Sequence, residues 1–84
     1  MVISFRIYSE ETGTLITSGA NPQLPEEDQV WWAYQRAKDW PCATVHMHPN
    51  DADYGLFILR SWNQLKKDEV LQLWQQRKTK HGWE

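Results

Sequence analysis

Two histidines, His46 and His48, stand two residues apart in the run Val45-His-Met-His-Pro-Asn-Asp-Ala-Asp53. In an extended strand, residues i and i+2 project from the same face, so the two imidazoles could ligate one metal ion if a third ligand joined them. Asp51 and Asp53 follow directly and could supply oxygen. The competing reading is a pair of solvent-facing histidines that titrate near neutral pH. Cys42 lies four residues before His46 and shares its face. Four residues of strand span about 13 Å, however, which is too far for a Cys–His nucleophile. Cys42 reads instead as a small buried hydrophobe.

The five residues Val45-His-Met-His-Pro49 resemble the metal-binding segment of the JAB-type metalloisopeptidases. That resemblance implies a metal-dependent hydrolase site at His46 and His48. The family pattern also requires an upstream glutamate and a downstream serine and aspartate at fixed spacing. After Pro49 the first serine is Ser61, and no aspartate follows it at that spacing. The chain is also shorter than the family's core. No phosphate loop, dinucleotide fingerprint, zinc-finger spacing or nucleophile elbow is present. No cofactor is expected.

Tryptophan is the second chemical signal: six of 84 residues, against two Phe. Trp31 and Trp32 are adjacent, so a helix cannot centre both on one buried stripe. One is expected to face the sheet or its rim, and the other water or a partner. Trp74 fits a helix stripe and belongs to packing. Trp40 precedes Pro41, Trp62 ends an apolar run, and Trp83 lies in the tail. Trp, Tyr and Arg dominate binding hot spots. The set Trp31, Trp32, Arg36, Trp40, Arg60 and Trp62 therefore reads as a surface for a larger protein partner or a second copy of the chain.

Charge supplies a third candidate. Nine Lys+Arg against eleven Asp+Glu give a net charge of −2, which excludes a strongly basic nucleic-acid binder. Yet the basic residues gather late. Lys66, Lys67, Arg77, Lys78, Lys80 and His81 lie on or near the last helix, with Trp74 and Trp83 among them. Lys67, Arg77, Lys78 and Lys80 are the candidate nucleic-acid contacts, set against a plain solvated helix face.

Certain elements must position these groups. Residues 2–8 alternate, with Ile3, Phe5 and Ile7 on one face, and predict a strand. With Thr14–Thr17 they predict a hairpin over 2–18. Ser18 to Pro25 reads as the main loop, broken by Gly19, Pro22 and Pro25. Pro25 followed by Glu26, Glu27 and Asp28 starts a helix that should run to about Lys38, ending before Trp40-Pro41. Cys42–His48 alternates as a third strand. Pro49 to Asp53 is a turn cluster. Tyr54–Trp62 is a fourth strand, apolar enough to be central. A helix follows from Lys66 to about Lys80, stopped by Gly82.

The order ββαββα predicts an α+β fold, a two-layer sandwich of one mostly antiparallel four-stranded sheet with two helices on one face. Right-handed crossovers point to strand order 1-2-4-3, with the second and fourth strands parallel at the centre. Two ββα units swapped between chains is the alternative. At 84 residues one domain, 1–84, is expected. One cysteine allows no intrachain disulfide. The N-terminal segment carries neither leader nor membrane-span features, so a cytoplasmic protein with no membrane partner is expected. The functional expectation is a small non-enzymatic interaction module, a regulator or inhibitor of the kind phages and mobile elements carry.

Overall fold

The computed structural model describes residues 2–50 and 57–82. The elements are β1 (Ile3–Ser9), β2 (Leu15–Ala20), α1 (Glu26–Ala37), β3 (Ala43–Pro49), β4 (Phe57–Arg60) and α2 (Lys67–His81). The four strands form one sheet in the order β2-β1-β3-β4, and every neighbouring pair is antiparallel. The α+β class and the ββαββα order match the sequence reading, but the strand order does not. The expected 1-2-4-3 order put β2 and β4 at the centre. Instead β1 and β3 pair over seven residues, from Ile3↔Pro49 to Ser9↔Ala43.

Burial explains the difference. In β3 only His46 of seven residues escapes the buried class, while β2 is buried nowhere along its length. A strand of Thr, Ser and Gly suits an edge; a strand with buried side chains on both faces suits the centre. β2 and β3 are each antiparallel to β1, so they run parallel on either side of it, and α1 crosses between them.

Gly19 was expected to break the chain but lies inside β2. It pairs with Phe5, and a Cβ there would come within 3.3 Å of Phe5 Cζ. The missing side chain lets the Phe5 ring lie over the strand. A bulge between Ile7 and Tyr8 leaves Ile16 out of the pairing, where it packs against the core.

The helices form where the signals lie. Pro25 caps α1, Glu26, Glu27 and Asp28 fill its first turn, and Lys38 closes it. Gly82 adopts the left-handed conformation at φ 69° and ends α2, its N–H bonded to the Lys78 carbonyl. Both helices pack on the same sheet face. Phe5, Met47 and Phe57 form one cross-strand row. Trp32 of α1 meets Phe5 edge-on at 5.4 Å, and Trp74 of α2 tilts against Phe57 at 5.5 Å. The core beneath includes Ile3, Ile7, Val30, Ala33, Tyr34, Val45, Leu59 and Val70.

Three polar side chains fasten the fold, two of them on α1 and one within the sheet. Gln29, buried in α1, accepts the Ile3 N–H at 2.9 Å and donates to the Leu24 carbonyl at 2.9 Å. The buried Tyr34 hydroxyl donates to the Asn63 carbonyl and accepts the Leu65 N–H at 3.2 Å. Ser61 closes the β3–β4 ladder: its N–H donates to the Ala43 carbonyl at 2.8 Å, and its Oγ accepts the Ala43 N–H at 2.9 Å. No described helix is long and apolar enough to cross a membrane.

Candidate functional site

The antiparallel register assigns each strand residue to a face. Opposite the helices, the cross-strand rows are Ala20–Ser4–His48, then Ser18–Arg6–His46–Ile58, then Leu15–Tyr8–Thr44–Arg60. Among the described residues no helix covers this face. At its centre the rings of Tyr8 and His46 lie 4.8 Å apart, tilted by 54°. Beside them Glu10 accepts the Thr44 hydroxyl at 2.6 Å. Tyr8, Glu10, Thr44, His46, Ile58 and Arg60 line a shallow hollow of 460 Å³.

His46 and His48 do share a face, as their spacing requires. The expectation that they are merely solvent-facing is corrected: His46 is half-buried, and His48 is 6% exposed. Burial lowers the His46 pKa below its ordinary value, and the nearby charge of His48 lowers it further; Glu10 opposes both. Asp51 and Asp53, the expected oxygen donors, lie outside the described residues. Among the described residues no group of three His, Cys, Asp or Glu could hold a metal ion. Cys42 is half-buried with a free thiol.

The tryptophans divide in an unexpected way. Trp74 is 1% exposed, as its stripe position requires. Trp31 and Trp32 do not split into one inside and one outside. Both are half-buried and pack against the core, Trp32 on Phe5 and Trp31 at 5.8 Å from Tyr34. Lys38 caps the Tyr34 ring from outside at 4.9 Å. Trp83 lies outside the described residues.

The other two form Arg–Trp pairs. Arg36 sits 5.7 Å from the Trp40 ring centre and is ion-paired with Asp39. Arg60 sits 6.0 Å from the Trp62 ring centre. The Ser61–Ala43 bonds place the start of β3 beside the end of β4. Trp40, just before β3, and Trp62, just after β4, therefore come to the same end of the sheet. Trp62 is 44% exposed and Trp40 half-buried. Of the six residues singled out for protein contact, the fold gathers Arg36, Trp40, Arg60 and Trp62 at this end. It gives Trp31 and Trp32 mainly packing work.

The basic helix is partly committed to the fold. Lys78 Nζ is 2.7 Å from the Glu26 carboxylate, which also accepts Trp74 Nε1–H at 2.9 Å. Lys67 pairs with Asp28 at 3.0 Å. These contacts tie α2 to the acidic first turn of α1. Arg77 and Lys80 instead line a groove with Phe57, Ile58, Leu59 and Leu73 beside β4.

Alternation in the third strand put Thr44 on the face of His46 and His48, but sequence reasoning missed Tyr8 and Arg6 as their neighbours there. The only available signal was the alternation in strands β1 and β3, and it could not reveal that those strands are neighbours. Compared with known proteins, the chain matches no family model, no curated protein and no solved structure.

Proposed function

We propose that this protein is a small non-enzymatic interaction module, a cytoplasmic regulator or inhibitor that occupies a surface on a larger protein. The observation that carries this reading is the pair of Arg–Trp contacts, Arg36–Trp40 and Arg60–Trp62, at one end of the fold. Trp62 offers exposed aromatic area, and Arg60 beside it offers a planar fork for carboxylates. Both pairs are carried by the ends of rigid elements, so little conformational freedom is lost on docking. The complementary partner presents an apolar pocket rimmed by acidic side chains.

The test begins with capture of partners from the native host and their identification by mass spectrometry. Affinity for the purified partner is then measured. Trp62→Ala and Trp40→Ala should each weaken binding by about tenfold or more, as hot-spot truncations do. Binding by both variants at full affinity would sink the reading. Sedimentation equilibrium distinguishes a foreign partner from self-association through the same end.

A further inference from the structure

The sheet face opposite the helices is a second surface, with chemistry unlike the Arg–Trp end. Its centre is an aromatic pair on the two central strands, Tyr8 on β1 and His46 on β3. Both rings are half-buried, so each retains exposed surface while its base is fixed. Arg6 stands beside His46 in one row, and Arg60 stands two strands from Tyr8 in the next. Both arginines are exposed. Adjacent strands lie about 4.8 Å apart and successive same-face residues about 7 Å apart. The two guanidinium groups thus flank the aromatic pair diagonally across roughly one nucleotide step or two.

Among the described residues Glu10 is the one carboxylate lining the hollow, where it accepts the Thr44 hydroxyl and faces the His46 ring with its charge. A protein with a net charge of −2 therefore presents a basic, aromatic sheet face. The adjoining hollow of 460 Å³ falls within the range of small-molecule sites and has room for a nucleobase.

We propose that this sheet face binds a single strand of nucleic acid, with bases stacked on Tyr8 and His46 and phosphates held by Arg6 and Arg60. A single strand fits where a duplex does not, because only unpaired bases expose the faces that stack on aromatic rings. Burial holds His46 below its ordinary pKa, so at neutral pH its ring stacks without adding a charge beside Arg6. The exposed Ser18 on the same face adds a hydroxyl for phosphate or sugar. The two surfaces meet at Arg60, which lines the hollow and also lies over the Trp62 ring, whereas Arg6 and Tyr8 belong to the sheet face alone.

The test uses the full chain and fluorescein-labelled twelve-nucleotide oligo-U, oligo-dT and a mixed-sequence duplex, read by fluorescence anisotropy at two salt concentrations. Both single strands should bind more tightly than the duplex, and affinity should fall as salt rises. Oligo-dU, which differs from oligo-U only at the 2′ position, shows whether the 2′-hydroxyl contributes. Tyr8→Ser should weaken single-strand binding about tenfold, while Tyr8→Phe, which keeps the ring, should retain it. Arg6→Gln should weaken binding and flatten its salt dependence. Lys80→Ala on α2 should leave it unchanged. Circular dichroism of each variant verifies folding. Three results would each overturn the proposal: no single-strand binding, equal or tighter duplex binding, or loss confined to Lys80→Ala.

Discussion

Glu26 shows how much one side chain carries here. It receives Trp74 Nε1–H and pairs with Lys78, joining the first turn of α1 to the middle of α2. Burial pushes its carboxyl up, but the hydrogen bonds from Lys78 and Trp74 and the charge of Lys78 outweigh burial and hold it below the ordinary 4.5. A carboxyl lowered in the folded state takes up its proton first in the unfolded chain. Its stabilisation is therefore present above about pH 4.5 and is lost as the pH falls through the lower folded value. Glu26→Gln should destabilise the protein by about 1–3 kcal/mol at pH 7, because a largely buried Lys78 loses the Glu26 charge beside it. The gap between wild type and variant in urea denaturation should shrink as the pH is taken below 4.5. A gap that holds constant with pH would show that charge is not the cause. This contact was not legible in the sequence. Fifty-two positions separate Glu26 from Lys78, and the acids of a first helical turn ordinarily face solvent.

At the scale of elements, β2 and α1 contrast. Pro25 and the three acids after it announce α1, and the helix begins there, because capping is a local matter of a few backbone N–H groups. The polar stretch from Ser18 announces a loop, yet Ser18, Gly19 and Ala20 are strand. Pairing with β1 decides their conformation, and the Phe5 ring over Gly19 makes a residue without a side chain the fitting one. Gly19→Val should therefore destabilise the protein. The added carbons meet a ring already packed against Trp32, and overpacking of this kind costs about 1–3 kcal/mol. In a domain of this size that corresponds to a fall in melting temperature of roughly 4–8 °C per kcal/mol. Thermal unfolding of Gly19→Ala and Gly19→Val gives the measurement, with the larger loss expected for Val. Equal stability in both variants would show that the Phe5 ring can move aside.

At the scale of the molecule, the strand order sets which parts open last. β1 and β3 hold the centre, so amide exchange should be slowest at Phe5, Ile7, Val45 and Met47 and faster in β2 and β4. Slowest exchange in β2 would restore the 1-2-4-3 order that crossover handedness suggested. The same topology decides the surfaces. Alternation in each strand was readable from the sequence and correctly put His46 and His48 on one face. Helix boundaries, the α+β class and the ββαββα order were readable for the same reason: propensity, capping and periodicity act over a few residues. Which strands are neighbours depends on burial summed over whole strands, and that is a property of the assembled sheet. Only the tertiary structure could place Tyr8 against His46, bring Trp40 and Trp62 to one end, and turn Trp31 and Trp32 toward the core. The sequence by itself determined the elements and their faces. Long-range pairing, set by the competition of four strands for two central positions, determined the sites.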